Sequence, residues 1–302
     1  MKKRSTVDFN ALTSFLESVS SYTEELIYGP AAGQALYHYT DLSGLKGILQ
    51  EDDLWLTHSR YLNDDEEITH GYRIVREVIE EQRKGATPER LEFLNLLFEL
   101  VREPSEEGVY ICSFCLDDNL LSQWRGYGAN GMGVSLQFEP TGFSYITGPD
   151  SPQNGLMRLW KVFYDRNTQK QIIEQAITFA AMVGPPGRTS AQQAAQAADA
   201  IQFFIPTFKN EGFLEERECR LIFTPSPDYA GHPRFRVARG MLIPYFSLKE
   251  LTGRNNQKLP LTGVRVGPSS NKRLNVESTR MVLEQAAYNV NVDESTTSFR
   301  SS

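Results

Sequence analysis

Apolar residues recur along this chain at two different periods, and the order in which those periods appear is the strongest constraint on its fold. Period-two runs at 36–40, 54–59, 109–114, 133–138 and 219–224 read as strands. Runs at helical spacing fall between them at irregular intervals: 63–82, 87–102, 119–127, 168–183 and 190–208. Strand and helix runs are mixed without regular β-α alternation. That order predicts an α+β fold rather than a doubly wound parallel sheet.

The remaining elements follow the same reading. Phe9, Leu12, Phe15, Leu16 and Val19 predict an amphipathic helix over 8–28 that Gly29-Pro30 stops. Asp41 or Ser43 caps a helix through Leu45, Ile48 and Leu49. Residues 159–164, 235–237, 241–244, 263–267 and 288–292 read as further strands, and 274–288 as a helix. Gly184-Pro185-Pro186-Gly187 is the sharpest break in the chain. It divides two helices into a helical hairpin inserted over about 165–210. The expected organisation is an N-terminal helix over 1–30 and one domain over 31–302.

The 302 residues are 40% apolar and include 17 Phe and 13 Tyr, enough for a sizeable core. A net charge of −7 argues against broad, non-specific attraction to nucleic acid or anionic membrane. No run approaches the roughly 18 apolar residues of a membrane span. Lys2-Lys3-Arg4 is followed by polar residues rather than an apolar signal core. The expectation is a cytoplasmic protein without a membrane partner. Three cysteines do not suggest a disulfide scaffold. No Gly-rich phosphate loop of the dinucleotide or P-loop type is present.

Two distant segments carry the chemistry. Leu36-Tyr37-His38-Tyr39-Thr40 places a histidine in an aromatic strand. Glu215-Glu216-Arg217-Glu218-Cys219-Arg220 places Glu216, Glu218 and Arg220 at period two, on one face if the segment is a strand. As exposed ion pairs these charges are worth only about 0–1 kcal/mol. As a site, two carboxylates sharing a face raise each other's pKa, and Arg220 counters that and keeps Glu218 ionised.

Three other motifs have bland readings beside functional ones. Cys112 and Cys115 form a lone CxxC whose members point to opposite faces of a strand, without the further ligands of a zinc site. Asn63-Asp64-Asp65-Glu66-Glu67 is explained by helix capping, the alternative being a hard divalent cation. In Leu120-Leu121-Ser122-Gln123-Trp124-Arg125-Gly126-Tyr127-Gly128, polar residues stand beside glycines that permit close approach, as architecture or as site.

Taken in order, these blocks resemble the DUF2971 family, a bacterial group considered related to the ADP-ribosyltransferase fold. The opening block is Leu36-Tyr37-His38-Tyr39-Thr40 with Leu45-Lys46-Gly47-Ile48-Leu49. The second is Leu54-Trp55-Leu56-Thr57-His58-Ser59 through Leu62-Asn63-Asp64. Cys112-Ser113-Phe114 and Asp118 through Gly128 make the third. Glu216-Arg217-Glu218-Cys219-Arg220-Leu221-Ile222 makes the fourth, with Cys219 where an aromatic is usual. Val266-Gly267-Pro268 and Asn271 match the last. The blocks run from 36 to about 292 and leave out the N-terminal helix and the 165–210 insertion.

The resemblance implies an ADP-ribosyltransferase-like fold of split mixed or antiparallel sheets with flanking helices, and an NAD site between the half-sheets. His38 would hold a ribose hydroxyl and Glu218 the nicotinamide-side ribose, with Glu216 acting on the acceptor. Tyr39, Tyr61 and Tyr127 are stacking candidates; Thr40, Thr57 and Ser59 would line the site. Arg125 or Arg60 would meet the pyrophosphate, and Arg220 would be a further cofactor-binding residue. Such chemistry needs a carboxylate beside a developing ribosyl cation and a second one to take a proton. The implied activity is ADP-ribose transfer from NAD to a protein or nucleic-acid acceptor, or NAD hydrolysis, in a toxin or phage-defence effector. A non-catalytic binding module on the same fold is the first alternative. A metal-dependent nuclease using Asp64, Asp65, Glu66 and Glu216 is the second.

Overall fold

A computed structural model of the chain describes residues 34–62, 66–101, 108–143, 155–182, 187–225, 229–238, 240–254 and 257–297. The helix expected over 1–30, the run Asn63-Asp64-Asp65 and the break at Gly184-Pro185-Pro186 lie outside the described residues.

The described strands are β1 (Leu36–Thr40), β2 (Trp55–His58), β3 (Tyr110–Cys115), β4 (Val134–Phe138), β5 (Gly155–Lys161), β6 (Glu218–Pro225), β7 (Arg234–Ala238), β8 (Met241–Ser247), β9 (Leu261–Val266) and β10 (Asn291–Glu294). The helices are α1 (Leu42–Glu51), α2 (Glu66–Arg83), α3 (Pro88–Leu100), α4 (Leu121–Gly126), α5 (Arg166–Met182), α6 (Ser190–Phe204), α7 (Leu248–Thr252) and α8 (Lys272–Gln285). No described helix is long and apolar enough to cross a membrane.

Local signals fix the ends of these elements. Asp41 caps α1, its carboxylate accepting from Gly44 N at 2.6 Å. Thr87 caps α3, with Pro88 in the first turn where its missing N–H costs nothing. Thr189 and Gln192 close a reciprocal capping box on α6.

The strands form one open sheet in the order β10-β9-β4-β1-β3-β2-β8-β7, with β6 on β3 and β5 on β6. β9 and β10 are parallel and the other pairs antiparallel, so the sheet is mixed and the fold is α+β. Its connectivity turns on β3. β6 pairs with β3 along the whole span from Tyr110↔Phe223 to Cys115↔Glu218 and fills one hydrogen-bonding edge. A strand has only two such edges. β2 and β1 therefore share the other: β2 holds Tyr110 and Ile111, and β1 meets it through Tyr37↔Cys115. Between them, Cys112 to Phe114 have no described strand partner on that edge. The sheet forks there into two wings, β1-β4-β9-β10 and β2-β8-β7, on a spine of β3, β6 and β5.

Each face of the spine is covered by its own core. Ile111, Ile222 and Trp160 pack with Phe93, Leu97, Ile173, Ile177, Ile201 and Phe204 of α3, α5 and α6. Cys112, Phe114, Leu221 and Phe223 pack on the other face with Leu36, Leu45, Leu49, Val276 and Leu283. The helical pair expected over 165–210 thus belongs to the main core, with Trp160 edge-on to Phe203 and Phe204 at 5.3 and 5.5 Å.

Candidate functional site

The fork is occupied by His38. β1 leaves β3 after Tyr37, so the Ser113 carbonyl loses the ladder partner that a continued pairing would supply. His38 Nδ1 donates to that carbonyl at 2.9 Å and satisfies it. A carbonyl only accepts, so Nδ1 carries the proton and Nε2 of the neutral ring is left as an acceptor. Burial lowers the imidazole pKa below 6.5; the Ser113 bond acts against this and the charge of Arg236 adds to it. The ring lies edge-on to Phe114 at 5.9 Å.

Arg236 enters from the second wing. Its Nη2 donates to Thr57 Oγ1 at 3.1 Å, and its guanidinium lies 5.8 Å from the Trp55 ring centroid. Trp55 stacks in turn on Tyr245 at 4.4 Å. The charge of Arg236 acts on both His38 and Cys112. Sequence reading missed Arg236 because β7 looks like an ordinary exposed strand. Its alternating Arg234-Phe235-Arg236-Val237 pattern was the available signal.

The acid group lies on the spine. Glu218 begins β6, and its two oxygens accept from Arg220 Nε at 2.7 Å and Nη2 at 2.8 Å. Arg220 is 1% exposed and also donates Nη1 to Pro206 O at 2.7 Å. Lys209, 2% exposed, donates to Glu216 at 2.6 Å and to Glu218 at 3.1 Å. Two carboxylates and two cations so form a buried, charge-balanced cluster.

One expectation needs correction here. Glu216 does not share a strand with Glu218. It ends the 3₁₀ turn Glu211–Glu216, and Arg217 at φ 45° breaks the period between them. Lys209 rather than strand alternation brings the two acids together. Arg220 keeps the Glu218 carboxyl ionised. Burial pushes it up, but the charge and hydrogen bonds of Arg220, the charge of Lys209 and a Ser113 hydroxyl bond outweigh this and hold it at about 2.

Ser113 joins the two halves, with its carbonyl on His38 and its hydroxyl on Glu218. Register places Tyr37, Cys115 and Glu218 on one face, and His38 on the other. His38 and Glu218 thus flank β3 at the fork from opposite faces of the sheet.

The other expected site residues scatter. Tyr39 is 6% exposed; its hydroxyl donates to Asp117 O at 2.9 Å and accepts from Leu120 N at 3.0 Å, and its ring stands edge-on to Trp124 at 4.8 Å. It holds the loop before α4 rather than offering a face for stacking. Thr40 ends β1, its carbonyl so close to Gly133 that a Cβ there would meet it at 2.2 Å. Thr57 carries Arg236, while Ser59 is buried just past β2 and its N–H donates to Val109 O at 2.8 Å. Tyr61 packs edge-on to His58 at 5.7 Å. Arg60, Arg125 and Tyr127 are exposed at the surface. Arg220 is committed to Glu218 and Pro206 inside the spine rather than offered to a cofactor.

Cys112, Cys115 and Cys219 are free and buried, with Cys112 and Cys115 on opposite faces of β3. Among the described residues no group of three or more His, Cys, Asp or Glu could hold a metal ion. A surface pocket of about 690 Å³ lies between α8 and β10, lined by none of the expected site residues.

The family model described as "Protein of unknown function (DUF2971)" matches residues 123–221. Over that stretch the chain is similar to DUF2971. The matched stretch ends within β6 and contains Lys209, Glu216, Glu218 and Arg220, but neither His38 nor Arg236. It also runs through the helical pair at 165–210, which the block-by-block DUF2971 resemblance leaves out. No curated protein and no solved structure matches the chain.

Proposed function

We propose that this protein is an NAD-consuming enzyme of ADP-ribosyltransferase type, with its substrate in the opening between the wings. The observation that carries the reading is the fork at Ser113, which has a neutral histidine on one side and an ionised glutamate on the other. His38 Nε2 is an acceptor for a ribose hydroxyl. Arg236 beside it supplies the cation that a pyrophosphate requires, a role the sequence pointed to elsewhere. Glu218 is ionised at any working pH, so it suits electrostatic stabilisation of a cationic ribosyl centre and not proton abstraction. Glu216, nearer to solvent at 13% side-chain exposure, is the group that would take a proton from an acceptor. The reaction is transfer of ADP-ribose to a protein or nucleic-acid acceptor, or hydrolysis of NAD. The implied setting is a toxin or phage-defence effector.

The test is to incubate pure protein with NAD, alone and with cell lysate as acceptor, and to follow free nicotinamide by NMR. Wild type should release nicotinamide, and folded Glu218→Gln should release it about 10²–10³-fold more slowly. Equal release by both, or none by wild type, would sink the reading. One observation favours a non-catalytic binding module instead: Glu218 already has its oxygens filled by Arg220 and Lys209. That reading predicts NAD binding by calorimetry without nicotinamide release.

A further inference from the structure

Lys209 leaves the helical insertion through the turn Ile205–Thr207 and enters the spine from its helical face. Its segment is held by a parallel bridge, Phe163↔Phe208, and by Lys209 N donating to Phe163 O at 3.1 Å. Beneath it lies Gln169 of α5, 0% exposed, whose amide donates to Phe163 O at 2.6 Å and Lys209 O at 2.9 Å. The Gln169 oxygen accepts from His70 Nε2 of α2 at 3.1 Å. A buried amide with three partners is an expensive device for packing alone. It sets the height of a single buried ammonium, and that ammonium touches both carboxylates.

We propose that Lys209 is the positioning residue of the carboxylate pair: delivered by the helical insertion and set in depth by Gln169, its ammonium clamps Glu216 beside Glu218. The inference rests on reading those two glutamates as one site. It gives the insertion a task, because Lys209 ties the last carboxylate of the turn Glu211–Glu216 to the first carboxylate of β6. The groups facing the pair are Arg220 from β6, Ser113 and Cys115 from β3, and Tyr164 beyond β5. Arg217 lies between the two acids in the chain, and Asp117 acts on Cys115 from the loop after β3.

Carboxylate titration by NMR on protein labelled at glutamate tests this in wild type, Lys209→Met and Lys209→Arg. Lys209→Met should move the titration of the pair upward by about one unit. Lys209→Arg should restore it, and should restore the acidic limb of any nicotinamide-release profile. An unchanged titration in Lys209→Met overturns the proposal. Should that variant not fold, the Lys209 ammonium itself is the probe. Clamped between two carboxylates, it should give a resolved, slowly exchanging ¹⁵N–H signal in wild type that Glu216→Gln broadens. A signal indifferent to Glu216→Gln also overturns it. Neither readout needs turnover, so absence of nicotinamide release by wild type would defeat the NAD reading while leaving the clamp separately decided.

Discussion

Replacing Glu218 by glutamine should reveal how much of the fold depends on one charge. Glutamine is a fixed mimic of the protonated acid, so the cost of Glu218→Gln approximates the worth of ionising Glu218 in place. The carboxyl titrates at about 2 in the folded chain against 4.5 when free. That gap of about 2.5 units, at roughly 1.4 kcal/mol each, gives about 3 kcal/mol. The same order follows from stranding a buried cation, at about 3–5 kcal/mol. The sign fixes the pH window. A depressed carboxyl contributes stability that is complete above pH 4.5 and is lost as pH falls towards 2. Urea unfolding of wild type and variant at about pH 7, 4 and 3 measures this. The difference should be about 3 kcal/mol at neutral pH and shrink steadily below 4.5, with a melting temperature lower by roughly 6 °C at pH 7. A difference under about 1 kcal/mol, or one that does not change with pH, would refute the charge-cluster reasoning.

His38 should make stability fall on the acid side of neutrality, because the unfolded chain takes up a proton near pH 6.5 that the buried ring refuses. His38→Gln should flatten that slope as pH falls through about 6.5 in urea titrations; equal slopes would contradict it. Burial pushes the Cys112, Cys115 and Cys219 thiols up to about 12, so the native protein should resist iodoacetamide at pH 8 and react fully in urea. Fast labelling of native protein, read by mass spectrometry, would place a thiol at the surface.

Much of the fold is legible from local pattern. β1 falls where Leu36-Tyr37-His38-Tyr39-Thr40 places it, and α3, β4 and α5 lie within a few residues of their expected bounds, because each carries its own period or cap. α7, at five residues, is too short to show a period. The expected strand over 159–164 is instead β5, Gly155–Lys161, set by pairing with β6. The site is legible only in part. Glu218 with Arg220 obeys alternation, and His38 stands out among aromatics. Glu216 does meet Glu218, but not by strand alternation, since the left-handed Arg217 turns the chain between them. Lys209 was invisible because nothing in Phe208-Lys209-Asn210 signals burial; its position comes from Phe163 and Gln169, about 40 residues upstream. The fork is set by β3 choosing three partners across the whole chain, which no local period records.

Ser113 anchors the two halves by different means, and sequence drift reaches them unequally. Its grip on His38 is a main-chain carbonyl, which every amino acid supplies, so substitution there leaves the histidine's anchor chemically intact. Its grip on Glu218 is a hydroxyl, which only serine, threonine or tyrosine among common replacements provides. Divergent copies of this protein can therefore retune the acid side at a single codon while inheriting the histidine side unaltered.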